Sequence, residues 1–196
     1  MSALSFTRQD ARERLGFKGG GAAQWLAAQG IPVPAQPNSW TAAESAASAA
    51  SAASAASAEA LLVARLGASE FFLEESASGT SLKGIAAAAA GAAVYPPTVY
   101  PVLREDCAFR LDGEGAHEVL AQVCNVNFAA LALGSRPVIM TLMIGVAVLV
   151  VPQYAQRDPN ERRYLIWCDP TFGEYLGESL GTVVNDCGGS CTGVRG

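Results

Sequence analysis

"FKGGGAAQWLAAQGIPVP", Phe17 to Pro34, and "LDGEGAHEVLAQVCNVNF", Leu111 to Phe128, carry one pattern twice. Laid over each other, they pair Gly19 with Gly113, Gly21 with Gly115, Ala22 with Ala116, Leu26 with Leu120 and Ala27 with Ala121. The second copy lies 94 residues after the first throughout. Glycines ahead of a helix have two physical uses: they cradle an anion on bare backbone N–H groups, or they make a turn that only glycine can adopt. The second copy decides between these. Glu114 sits inside its turn, where a carboxylate repels phosphate although it suits the helix dipole. Neither copy completes G-x-G-x-x-G, and neither has the Lys-Ser/Thr of a phosphate loop. The glycines are therefore expected to serve geometry, at a strand-to-helix hinge with positive φ. The repeat implies two related α+β halves about a pseudo-two-fold axis.

The flanking segments agree with that reading. In the first half Gly30 stops a short helix carrying Trp25 and Leu26, and "IPVPAQPN" is an extended connection. "ALLVARLGASEFFLEE" reads as two strands around a turn. In the second half "VYPVLREDCAFRLDG" reads as strand into turn and "EGAHEVLAQV" as a helix. "RRYLIWC" reads as a strand. Asp169 before Pro170 is a favoured helix start, and Phe172, Leu176, Leu180, Val183 and Val184 then share one helical face that ends near "CGG".

Between these elements lie stretches of another character. From Ser45 to Ser57 serine recurs at every third position. A period of three drifts about 60° per repeat around a helix, so no apolar stripe forms and nothing seats the segment on a core. Residues 41–60 are thus read as a low-complexity insertion, and "SASGTSLKGIAAAAAGAAVYPP" contains the boundary between halves. The expected organisation is a first half-module at 1–83 with the insertion at 41–60, an Ala-rich linker at 84–97, and a second half-module at 98–196.

The 196 residues suit one domain, or two half-domains sharing a core. A chain of this length buries roughly 70% of its unfolded surface and needs neither disulfide nor metal to fold. Charged residues make up only 16%, which hints at surface hidden against a partner. The net charge of −5 and the lack of a basic stripe argue against nucleic acid. "PVIMTLMIGVAVLVVP" is apolar for 14 residues between prolines, too short to span a membrane, and its β-branched content favours two buried strands meeting near Gly145. The N-terminal segment resembles neither a secretory signal nor a transit peptide, and the five cysteines are an odd number. Reduced thiols in a cytoplasm are expected.

Catalytic equipment is sparse. His117, the single histidine, stands where the first copy has Ala23, which suits an exposed helix position. "CGGSC", Cys187 to Cys191, lacks the second pair a zinc site needs, and reads as thiols in a disordered tail. No paired carboxylates and no nucleophile motif stand out. In "CNVNF" an aromatic flanked by amides makes Asn125, Asn127 and Phe128 candidates for a partner interface, with an ordinary loop around one buried Phe as the alternative.

The second half resembles the gamma subunit family of heterotetrameric sarcosine oxidase. The matching pieces are the turn and helix from Gly113 to Cys124, Thr141 within its apolar strand, and Thr171-Phe172-Gly173-Glu174-Tyr175-Leu176 running to Leu180. "GFKGGGAAQWLAAQGIPVPAQPNSW" and "LVARLGASEFFLEE" look like members of the same broader group. The resemblance implies an α+β fold like the folate-binding aminomethyltransferase-type domains. It also implies a non-catalytic subunit that binds alpha, beta and delta subunits, with FAD, FMN, NAD, tetrahydrofolate and zinc on those partners. The implied activity of the whole is oxidative demethylation of sarcosine, with one-carbon transfer to tetrahydrofolate and release of hydrogen peroxide. Gly177 stands where that family has tryptophan, and the serine–alanine insertion is unusual for it. Both leave open a paralogous complex such as an N-methylglutamate dehydrogenase. A stand-alone folate-binding protein is a further alternative, although the "KGCYxGQE"-like motif of related transferases has no counterpart here.

Overall fold

The computed structural model describes residues 3–44, 59–75, 82, 84–85, 95–155 and 161–194. They form two compact units: Ala11–Arg104, called here the first unit, and Met1–Asp10 with Glu105–Gly196, the second. In chain order the elements are β1 (Ser5–Arg8), β2 (Arg14–Lys18), α1 (Ala22–Ala28), β3 (Ser39–Glu44), β4 (Glu59–Arg65), β5 (Glu70–Glu75) and β6 (Tyr100–Leu103). Next come β7 (Cys107–Asp112), α2 (Ala116–Val123), β8 (Ile139–Met143), β9 (Val146–Tyr154), β10 (Arg162–Cys168), α3 (Gly173–Asp186) and β11 (Ser190–Thr192).

The first unit's sheet has the order β3-β4-β5-β2-β6. The second repeats it as β8-β9-β10-β7-β1, with β11 added beyond β1. Registers repeat as well. Lys18 faces Glu70 on one side and Tyr100 on the other, just as Asp112, its repeat equivalent, faces Arg163 and Ser5. All pairings are antiparallel except β1 with β11.

The leading strand of each half is exchanged. β1 pairs with β7, and β6 pairs with β2. The units therefore do not keep to the expected divisions at 83 and 98. A four-residue strand does not announce from its own pattern which sheet it will join, and the next two residues extend the pairing of β1 with β7. Gln9 donates its N–H to the Ala108 carbonyl at 2.7 Å, and the Asp10 carboxylate accepts the Ala108 N–H at 2.9 Å. For the same reason "VYPVLREDCAFRLDG" is two strands in two different sheets.

The glycine turns receive these exchanged strands. Gly19 has φ +116 and Gly113 φ +101, and a Cβ on either would collide with a backbone carbonyl, of Thr98 and of Ala3 respectively. Thr98 leads into β6 and Ala3 into β1. The repeated glycine thus permits close approach of a neighbouring strand. Turn N–H groups are engaged within the chain, Gly19 to the Ser69 carbonyl at 3.0 Å and Gly21 to the Thr98 carbonyl at 3.1 Å.

Each unit has its own core. In the first, Phe17, Val63, Phe71, Leu73, Ala22, Leu26 and Leu82 pack together. In the second, Phe6, Phe109, Leu111, Tyr164 and Ile166 from the sheet meet Val119, Leu120, Leu176, Leu180 and Val184 from the helices. Both α1 and α3 end in the same way. Ile31 N–H reaches the Leu26 carbonyl after Gly30 (φ +77), and Gly189 N–H reaches the Val184 carbonyl after Gly188 (φ +77). This is the left-handed glycine cap foreseen from Gly30 and from "CGG". Asp169 caps as expected, accepting the Thr171 N–H at 2.9 Å.

The tail differs from expectation. Ser190–Thr192 is a strand, held because the Ser190 N–H donates to the Leu4 carbonyl at 3.0 Å and because Phe6 faces Cys191 across a parallel pairing. Of the segment 41–60, residues 41–44 and 59–60 are strand, and the remainder lies outside the described residues. So does most of the expected linker at 84–97.

Candidate interaction surface

The chemistry-bearing side chains are scattered. His117 is exposed on α2, as its exchange with alanine suggests. Cys187 caps α3, where its sulfur accepts from the Gln122 side chain at 3.4 Å, while Cys191 sits on β11. Among the described residues no group of three or more His, Cys, Asp or Glu is placed to hold a metal ion, and no helix is long and apolar enough to cross a membrane.

The second unit instead presents apolar and aromatic surface at one hairpin and the helix beside it. β8 and β9 are joined by Ile144 and Gly145, both with positive φ (+50 and +82), a two-residue turn whose twist suits a hairpin. The sequence located this turn at Gly145. The isoleucine is the surprise, because a β-branched residue is strained at positive φ. Its half-buried side chain packs on the core, and its backbone is bound at both ends. The N–H donates to the Val123 carbonyl at 3.0 Å, and the carbonyl accepts from the Tyr175 hydroxyl at 3.4 Å.

The strand before this turn and the start of α3 carry exposed large side chains. Met140 and Leu142 on β8 are 56% and 59% exposed, on the sheet face opposite the helices, where they pair with Leu149 and Ala147. Phe172 and Tyr175 at the start of α3 are 49% and 52% exposed. Burying a side chain of this size yields about 1.5–3 kcal/mol, so each pair, one on β8 and one at the start of α3, is apolar surface a partner could cover. Exposed acids lie at and along the start of α3: Asp169, Glu174 and Glu178. The Asp169 carboxyl is held below the usual carboxylate range by hydrogen bonds from the Thr171 side chain and N–H, so it is charged at neutral pH.

The "CNVNF" segment approaches the same strand. Cys124 bridges Met143, and its sulfur lies 3.7 Å from the Thr141 hydroxyl. Asn125 and Asn127 are exposed, whereas Phe128 is buried edge-on against Tyr164, with centroids 5.6 Å apart. The Asn127 side chain accepts the Ala130 N–H at 3.3 Å and caps a short 3-10 turn. Of the three sequence candidates the two amides are thus available at the surface, while the aromatic serves the unit's own core. Sequence reasoning does not reach Met140, Leu142 and Tyr175. Alternation in "IMTLM" is the available signal, masked by an apolar run that reads as buried throughout.

No protein-family model matches the chain, and no curated protein matches it. Solved structures do. The chain is similar to the crystal structure of glycine cleavage system aminomethyltransferase T from Bartonella henselae, with a TM-score of 0.64 and 14% identity over 97% of this chain and 48% of that one. It is also similar to a chain of the heterotetrameric sarcosine oxidase from Corynebacterium sp. U-96, solved in complex with pyrrole 2-carboxylate. There the TM-score is 0.65 and the identity 18%, over 93% of this chain and 84% of the other. The fold is accordingly α+β, of the aminomethyltransferase type. The chain spans about half the length of the aminomethyltransferase it matches.

Proposed function

We propose that this chain is a non-catalytic, gamma-type subunit of a heterotetrameric sarcosine oxidase-like complex. The observation that carries the reading is the asymmetry of coverage. The match takes in 84% of a chain from a heterotetrameric oxidase but only 48% of the aminomethyltransferase. Exposed Met140 and Leu142 on β8, exposed Phe172 and Tyr175 at the start of α3, and exposed Asn125 and Asn127 support it as places where a larger subunit can dock. In this reading FAD, FMN, NAD, tetrahydrofolate and zinc belong to alpha, beta and delta partners in the cytoplasm. The whole demethylates sarcosine to glycine, passes the one-carbon unit to tetrahydrofolate and releases hydrogen peroxide. The paralogous alternative, N-methylglutamate dehydrogenase, differs in substrate and not in this chain's role.

The test is to isolate the tagged chain from its native cells and size the product. A stable assembly with flavin-bearing larger subunits, oxidising sarcosine, is the expected result, and Leu142→Glu with Tyr175→Glu should disperse it while leaving the chain folded. A chain that remains alone and binds reduced folate in titration would overturn the reading in favour of a stand-alone folate-binding protein.

A further inference from the structure

We infer that Cys107 and Cys168 form a peroxide-responsive dithiol that closes into a disulfide across β7 and β10. The two residues are directly opposed in register, Cys107 opening β7 and Cys168 closing β10, and both side chains lie in the helix-covered core. Opposed residues of an antiparallel pair have Cα atoms about 4.5–5.5 Å apart, inside the range a disulfide spans. Their Cβ atoms need to approach by about 1 Å, which is easiest at a ladder's end. Both are thiols here, the reduced form of the pair.

What separates this pair from two inert core thiols is Arg8. Its Nη2 donates to the Cys107 sulfur at 3.4 Å, while Nε bonds Asp10 at 2.5 Å and Nη1 bonds Glu174 at 2.9 Å. A guanidinium against sulfur favours the thiolate, the form that reacts. The Arg8 side chain is 26% exposed, so it links a core sulfur to the surface. Burial pushes the Cys168 thiol up to about 12, with the nearby Cys107 adding to the shift. Cys168 therefore stays protonated, and the roles divide: Cys107 attacks and Cys168 resolves.

The chemistry balances with a peroxide as the named oxidant. The Cys107 thiolate attacks the peroxide, an S–O bond forms as the O–O bond breaks, and the leaving oxygen takes up a proton. The Cys168 sulfur then attacks the Cys107 sulfenic acid. An S–S bond forms, the S–O bond breaks, and water departs with the thiol proton. Two thiols lose two electrons and hydrogen peroxide becomes two waters. Closure moves the Cys107 sulfur away from Arg8 and from Gly173, whose backbone lies so close that a Cβ there would strike that sulfur. The start of α3, with exposed Phe172 and Tyr175, is thereby coupled to the oxidation state.

The experiment exposes the reduced, folded, full-length chain to hydrogen peroxide, blocks remaining thiols by alkylation and maps the peptides. The expected result is a loss of about 2 Da and a Cys107–Cys168 cross-linked peptide. That product should persist in Cys124→Ala and vanish in Cys168→Ala, where dimedone captures Cys107 instead. Arg8→Met should slow closure by about tenfold and Arg8→Lys should restore part of the rate, as loss and return of a cation beside the sulfur require. A cross-link confined to Cys187–Cys191, closure only after unfolding, or an unchanged rate in Arg8→Met would overturn the proposal. Should Cys168→Ala fail to fold, the wild-type peptide map still decides.

Discussion

At one register position the two units make opposite choices. In the first, Arg14 of β2 faces Glu74 of β5, bonded at 2.7 Å with side chains only 4% and 2% exposed. At the equivalent place in the second, Ala108 of β7 faces Trp167 of β10, and both are buried. The helix-covered faces, by contrast, agree in kind: Leu15–Leu73 and Phe17–Phe71 in one, Phe109–Ile166 and Leu111–Tyr164 in the other. The common topology is therefore specified by alternation toward the helices, while the other face is free to use an ion pair or an indole. Buried ion pairs are expensive to desolvate and are weak evidence for stability.

The largest effect should come from breaking that pair unevenly. Glu74→Ala leaves Arg14 buried and also strips Arg12 of its 3.1 Å contact, so it should cost about 3–5 kcal/mol in urea unfolding. Importing the second unit's solution, Arg14→Ala with Glu74→Trp, should cost clearly less than the single change. If the double variant is worse, the two faces are not interchangeable.

Next come the turns. Gly19→Ala and Gly113→Ala should each cost about 2–3 kcal/mol, since both meet a carbonyl at positive φ. Gly30→Ala, at positive φ with open space around it, should cost only about 1 kcal/mol. Unequal losses at Gly19 and Gly113 would show that the repeat is one of sequence without shared mechanics.

Asp169 gives a smaller, pH-dependent signal. Its folded carboxyl titrates below the unfolded one, so its stabilisation is present above the ordinary carboxylate pKa and is lost as pH falls through the lowered folded value. Asp169→Ala should therefore lower the melting temperature at neutral pH and match wild type in acid. The smallest change is expected at a pair of opposite sign in the two units, Lys18–Glu70 and Asp112–Arg163. Lys18→Ala, at a half-exposed pair, should cost about 0.5 kcal/mol or less, and Arg163→Ala more, because its 2.6 Å contact is better buried.

Local rules account for much of the molecule. The repeat in Gly19 and Gly113, the strands "ALLVAR" and "RRYLIWC", the turn at Gly145 and the Asp169 cap are all legible in the sequence, and all appear. The non-local choices are not legible there. Nothing in "SFTR" tells it to pair with β7 across a hundred residues, and nothing in "SCT" tells it to pair with β1. The surface is half visible for a related reason. Asn125 and Asn127 are polar and belong outside, but Met140 and Leu142 are exposed through the register of β8, which no single strand contains.

The exchange of leading strands has a consequence for synthesis. β1 leaves the ribosome well before β7, which completes at residue 112, and its other neighbour ends at residue 192. At translation speeds of about 5–20 residues per second, Phe6 waits on the order of ten seconds for its first partner. During that interval the nascent first unit can lay down β2 through β5, gaining its edge strand β6 only shortly before β7 emerges. The first strand made is thus held waiting while the other unit's sheet assembles around β2, and must stay out of that sheet to reach its own.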